Sequence, residues 1–172
     1  MNDGVPTIVV HPASPSDAAS ILAIHRRVLE EGDWFITEVD ELRDSVEAKV
    51  AQIRDARRER GGLLVARLSD VVVGWLAVSR GFRRRNRHVG RLEMMVDAPF
   101  RGRGVGDALL GAAVEWARRE GLGKLSLTVF AHNARAIALY ERHGFVVEGR
   151  RVAEYRFADG SERDDLLMAL RL

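Results

Sequence analysis

The stretch Met94-Met-Val-Asp-Ala-Pro-Phe-Arg-Gly-Arg-Gly-Val-Gly-Asp-Ala-Leu-Leu110 limits the possible folds more than any other part of the chain. An apolar run ends at Val96, a short loop carries Pro99, and Arg101-Gly-Arg-Gly-Val-Gly106 leads straight into a helical pattern. There Val105, Leu109, Ala112 and Trp116 share one face, with Asp107, Glu115 and Arg118 elsewhere. Glycines at 102, 104 and 106 permit backbone angles and close approaches that a Cβ would oppose. The amides of a helix start point outward and the helix dipole favours anions, so a strand, glycine turn and helix in this order suit a diphosphate. Two other phosphate motifs fail. No Lys-Ser or Lys-Thr pair exists to complete a P-loop. A Gly-x-Gly-x-x-Gly fingerprint begun at Gly102 ends on Asp107, and begun at Gly104 it ends on Leu109.

Upstream, Ser14-Pro-Ser-Asp17 opens a first helix, with a capping serine, a proline at the first helical position and an acid three residues after the cap. Ile21, Leu22, His25, Val28 and Leu29 follow at helical spacing, and Gly32 closes the element. A second, charge-rich helix is predicted from about Asp40 to Arg60, stopped by Gly61-Gly62. Then the period changes. Leu63 to Leu68 and Val71 to Val78 read as a hairpin about Ser69-Asp70, and His88 to Val96 as a further strand. After a helix over Gly104 to Glu120 come a buried strand at Lys124 to Phe130 and a short helix at Asn133 to His143. Phe145 to Leu172 reads as two strands turning at Asp159-Gly160. The order α, α, β, β, β, α, β, α, β, β predicts one α/β domain over residues 1–172. Its central sheet is mixed, with helices on both faces.

Composition narrows the class. The chain has 172 residues, 47% hydrophobic and 30% charged, which suits a globular domain with a real core. No apolar run approaches the ~20 residues that span a bilayer. Met1 to Pro6 lacks the basic and hydrophobic regions of a signal peptide, so a cytoplasmic, membrane-free protein is expected. With Cys 0, disulfides, thiolate metal ligands and a cysteine nucleophile are excluded. His88, His132 and His143 show no metal spacing, and no metal is expected. A formal charge of +2 argues against nucleic acid as partner. The local exception, Arg80-Gly-Phe-Arg-Arg-Arg-Asn-Arg-His88, reads either as a solvated hairpin loop or as an electropositive rim for an anion.

Arg-x-x-Gly-x-Gly between a strand and a helix resembles the CoA diphosphate loop of the GNAT acetyltransferase family. Asn133, Ala136, Leu139, Tyr140, Gly144 and Phe145 fill every place of a second motif similar to that family's Asn-x-x-Ala-x-x-Leu-Tyr-x-x-x-Gly-Phe. The two stand in the right order, one helix and one strand apart. The resemblance implies a GNAT fold with acetyl-CoA as cosubstrate. Met94, Met95 and Val96 would offer backbone groups to the pantetheine arm. Arg101, Gly102, Arg103, Gly104, Val105 and Gly106 would bind the diphosphate through amides, and Asn133 the pantetheine region. Tyr140 would place its hydroxyl near the thioester sulfur, where a phenol of ordinary pKa ~10 could protonate or hydrogen-bond the departing thiolate. Dimers, common in the family, are compatible with it.

Glu93 is the strand-borne candidate for the general base, and a salt-bridged strand carboxylate is its structural alternative. Tyr140, three residues after Ile137, could likewise be a simple core or helix-packing residue. Thr128 stands where family members that acetylate protein N-termini often carry glutamate. Glu148-Gly149-Arg150, Tyr155 and Asp164-Asp165 are similar to branches acting on amino acids, polyamines or ribosomal-protein N-termini. The reading is an N-acetyltransferase for a small-molecule primary amine, such as an amino acid or a polyamine. A protein N-terminal acetyltransferase, a non-catalytic CoA-binding module and an RNA-associated module stand as alternatives. The acceptor pocket is expected between the first two helices, their connection around Trp34-Phe35, and the terminal hairpin.

Overall fold

The computed structural model describes residues 7–58 and 61–172. Strand β1 (Ile8–Pro12) leads through a 3₁₀ turn at Pro15–Asp17 into α1 (Ala18–Glu30), then α2 (Val46–Arg58), β2 (Gly62–Leu68), β3 (Val71–Arg80) and β4 (Val89–Val96). Helix α3 (Val105–Arg119), β5 (Lys124–Phe130), α4 (Ala134–Arg142), β6 (Val146–Arg156) and β7 (Glu162–Arg171) complete the chain. The strands form one 7-stranded sheet in the order β1-β2-β3-β4-β5-β7-β6. Only β4 and β5 run parallel; every other pair is antiparallel. This is the mixed sheet with helices on both faces that the element order predicts.

Two elements differ from the sequence reading. Strand β1 was not expected: its β-branched run is only Ile8 to Val10, and pairing with β2 from Ile8↔Leu68 to Pro12↔Leu64 supplies what local propensity lacks. The second helix begins later than Asp40. Val39–Glu41 makes a 3₁₀ turn, Leu42 is extended, and α2 starts at Val46. Ser45 sets that start, its Oγ accepting the Ala48 amide at 3.1 Å. The expected end at Arg60 and the leader segment Met1 to Pro6 lie outside the described residues.

The sheet separates two cores. On one face α3 and α4 cover a cluster containing Leu109, Leu110, Leu125, Phe145 and Met168. On the other, α1 and α2 bring Ile21, Ile24 and Ile53 onto Val65, Trp75 and Met95. Each such side chain contributes roughly 1.5–3 kcal/mol through burial. The second face also holds buried charge: Asp17 pairs with Arg67, Asp97 with Arg27 at 2.8 Å, and Lys49 with Asp44 at 2.6 Å.

Candidate active site

Parallel pairing between β4 and β5 covers only Val89↔Lys124 to Arg91↔Ser126. Beyond it a cavity of about 790 Å³ is lined by Leu92 to Val96 on one side and Thr128 to Phe130 on the other. The β4 ladder shows which backbone groups face this cleft. Gly81 donates to the Val89 carbonyl and Asp97 to the Val73 carbonyl, which makes 89↔81 and 97↔73 hydrogen-bonded pairs. Because such pairs alternate, Arg91, Glu93 and Met95 also bond to β3, while Leu92, Met94 and Val96 turn their amides and carbonyls toward the cleft. Of Met94, Met95 and Val96, the middle residue therefore gives its backbone to β3, and its side chain is buried in the α1/α2 core. The Val96 carbonyl accepts from Arg101 Nε at 2.9 Å, which leaves the Met94 groups and the Val96 amide turned toward a ligand.

The glycine turn closes one end. Gly102 and Gly104 take φ +77 and +84, and Gly104 is the N-terminal cap of α3. Left-handed backbone here aims the first α3 amides at the cavity without a Cβ strain penalty. Gly106 serves a different need: a Cβ there would lie 2.8 Å from Leu139 Cδ2, so the glycine lets α3 and α4 approach. Gly102, Gly104 and Gly106 all line the cavity. Val105 is buried in the core, and Arg103 turns its guanidinium over the Phe100 ring. Arg101 holds Glu31 through two short hydrogen bonds of 2.6 and 2.7 Å, so its side chain ties the end of α1 to the turn while its backbone borders the cavity.

Helix α4 forms the opposite wall. Asn133 caps it, its Oδ1 accepting the Ala136 amide at 3.1 Å, so only its amide group remains for a ligand. Tyr140 is buried, lies against Phe145 at a ring distance of 5.8 Å and lines the cavity. Burial pushes its phenol up to about 12, so the hydroxyl is protonated throughout the neutral range. Full proton transfer from such a phenol to a thiolate of ordinary pKa ~8.5 is uphill, and donating a hydrogen bond to the developing charge is the role this environment allows.

Glu93 lines the same cavity on the α1/α2 face. Solvent reaches the side chain through the cavity while protein surrounds it elsewhere, and this desolvation raises its carboxyl above the usual range. The Lys49 ammonium opposes that rise and Asp44 adds to it. A raised carboxylate is a better proton acceptor near neutral pH. Behind it His25 sits edge-on to Trp75 at 5.7 Å, and Lys49 Nζ lies 5.7 Å from the Trp75 ring centre. Trp34, Phe35, Ile36 and Thr37, from the connection after α1, also line the cavity. His132 holds that connection, stacking on Trp34 at 5.9 Å with its Nε2 3.2 Å from the Asp33 carbonyl oxygen. The arginine-rich segment 80–88 lies at the opposite end of β4 and does not line the cavity, so the solvated-loop reading holds there rather than the rim for a CoA phosphate.

The profile of the acetyltransferase (GNAT) family matches residues 25–145. The chain belongs to the GNAT family. It is 36% identical over 110 residues to the L-amino acid N-acetyltransferase AaaT of Escherichia coli (strain K12), covering 62% of this chain and 65% of that protein. It is 41% identical over 75 residues to the [Ribosomal protein bS18]-alanine N-acetyltransferase of the same strain, covering 44% of this chain and 50% of the relative. These matches span less than two thirds of either relative. A GNAT-family acetyltransferase structure from Streptococcus pneumoniae superposes with a TM-score of 0.91 at 29% identity, over 96% of this chain and 100% of that one.

Among the cavity residues of this GNAT protein that the sequence reading did not single out as site groups are Arg135, Arg142 and Asp165. Arg135 and Arg142 sit seven residues apart on α4, a spacing that puts both on one face. Asp165 stood only within an Asp164-Asp165 pair; strand alternation separates the two, with Asp164 bonded to Arg150 and the Ala153 amide while Asp165 is buried.

Proposed function

We propose that the protein transfers an acetyl group from acetyl-CoA to the primary amine of a small molecule. One observation carries this reading: the opening between β4 and β5 has the Gly104-capped helix at one end, Tyr140 in its wall and Glu93 on the acceptor side. The α3 amides bind the diphosphate, and Met94 with the Val96 amide pairs with the pantetheine as a strand would. Glu93 takes the proton from the acceptor ammonium, directly or through water. The neutral nitrogen attacks the thioester carbonyl, whose oxygen a β4 amide facing the cleft stabilises. The C–S bond then breaks, Tyr140 donates its hydrogen bond to the departing thiolate, and that thiolate takes up the second nitrogen proton, so that an amide and a free thiol leave. The similarity to an L-amino acid N-acetyltransferase supports a small acceptor.

A protein N-terminus is the second reading, favoured by the likeness to the bS18-alanine enzyme. The test is thiol release from acetyl-CoA with a panel of small amines and with an alanine-initiated peptide. Faster release with small amines supports the reading; release only with the peptide overturns it. CoA binding in calorimetry without thiol release on any acceptor would mark a non-catalytic CoA-binding module.

A further inference from the structure

The sheet face that carries Glu93 holds a second carboxylate. In β7, Leu166, Met168 and Leu170 join the α3-side core, so Asp165 points to the α1/α2 side, opposite Phe130 of β5 and Arg151 of β6. Asp165 is 1% exposed, lines the cavity, and its Oδ2 has no hydrogen-bond partner among the described residues. The nearest cation is Arg151, whose Nη1 stands 3.6 Å from Oδ2, beyond hydrogen-bond reach, on a side chain that is 45% exposed. A buried carboxylate oxygen left in this state costs free energy that a donor from a ligand would recover. The cavity that both acids line is also aromatic: Trp34, Phe35 and Phe130 offer surface for an alkyl chain and ring faces for a cation.

We propose that Asp165 recognises a second ammonium on the acceptor, so that the substrate is a diamine or a longer polyamine whose reacting nitrogen meets Glu93. This rests on the acetyl-transfer reading above. Each nitrogen then has one carboxylate, and the chain between them lies on the aromatic wall. An amino-acid carboxylate placed at Asp165 would meet like charge. Burial raises the Asp165 carboxyl, Arg151 pulls it back, and Glu154 adds to the rise; a bound ammonium counters the burial.

The test is calorimetric titration of the full chain, saturated with CoA, with 1,4-diaminobutane and with 1-aminobutane. The wild type should bind the diamine at least about tenfold more tightly. Asp165→Asn should erase that preference and leave CoA affinity unchanged. If that variant fails to fold, Asp165→Ser serves in its place. Equal affinity for the two amines, binding of neither, tighter binding of alanine than of the diamine, or a preference kept in the variant would each overturn the proposal. Thiol release with acetyl-CoA is measured in parallel. Selective diamine binding without release would sink the acetyl-transfer reading and leave the recognition role of Asp165 standing.

Discussion

On the α3/α4 face the sheet is covered by Leu109, Leu110, Leu125, Phe145 and Met168, whereas the α1/α2 face sets Ile21, Ile24 and Ile53 beside His25, Lys49 and Asp44. Under the proposed function the first face meets CoA through main-chain amides, and dry, close packing holds them in place. Its specialised positions are backbone angles, at Gly102 and Gly104. In the proposed reaction the second face removes a proton from an amine, and for that it needs carboxylates whose charge is tuned by neighbours. The difference teaches where substitutions should act. Changes at the glycine turn of the α3/α4 face should move cosubstrate affinity, and changes on the α1/α2 face should move amine kinetics and pH behaviour.

The largest effects are expected where the two faces meet the reacting atoms. Tyr140→Phe deletes one hydroxyl and keeps the ring against Phe145; kcat should fall by roughly 10²-fold with little change in CoA binding. Matching kcat values would return Tyr140 to packing alone. Glu93→Gln should lower kcat/KM by about 10²-fold at neutral pH, with CoA affinity intact. Because the missing proton acceptor matters less once free amine is abundant, the deficit should shrink as pH rises. A mutant-to-wild-type ratio that stays flat across pH would remove Glu93 from proton transfer and break the contrast between the faces.

Gly104→Val tests the α3/α4 face by itself. The positive φ of +84 opposes a β-branched residue, and the added carbons would stand where the diphosphate approaches the α3 amides. CoA affinity in calorimetry should drop at least tenfold, about 1.4 kcal/mol. Unchanged affinity in a folded variant would take the turn out of the site.

That contrast also explains what could be read from the sequence. Gly102, Gly104 and the Asn133-to-Phe145 motif were legible because local backbone chemistry writes itself into short patterns. The start of α2 at Val46 was not legible, since Ser45 and the Asp44–Lys49 pair compete with a helical run that already begins near Asp40. Strand β1 depends on a partner more than fifty residues away, from Ile8↔Leu68 onward, and its own five residues carry too little pattern. The same holds for Asp165, whose neighbours Phe130 and Arg151 come from two other strands. Its burial arises from register, which no single stretch of sequence contains.

His25 reports the α1/α2 face without touching a substrate, through stability alone. Its pKa is lowered from 6.5 to about 4, chiefly by burial and then by Lys49, with Asp44 opposing them. Its ring faces Trp75, and the charges that act on it are Asp44, 3.8 Å from Nδ1, and Lys49. Above pH 6.5 the imidazole is neutral in both folded and unfolded chains and contributes no pH dependence. Between pH 6.5 and about 4 the unfolded chain takes up the proton and the folded chain does not, so stability must fall as pH falls through this window. The loss should be on the order of 2 kcal/mol once relaxation around the ring is allowed for. In His25→Gln that component vanishes, whereas every carboxylate still titrates, so the difference between the two proteins isolates the histidine. Tm measured from pH 7.5 down to about 4.5 should therefore fall more steeply for the wild type than for His25→Gln, with the curves converging at the acid end. Gly104→Val, on the other face, should run parallel to the wild type over the same range. Parallel curves for His25→Gln as well would mean that the ring is hydrated enough to protonate in place, and the charged layer beneath Glu93 would lose its claim to be dry.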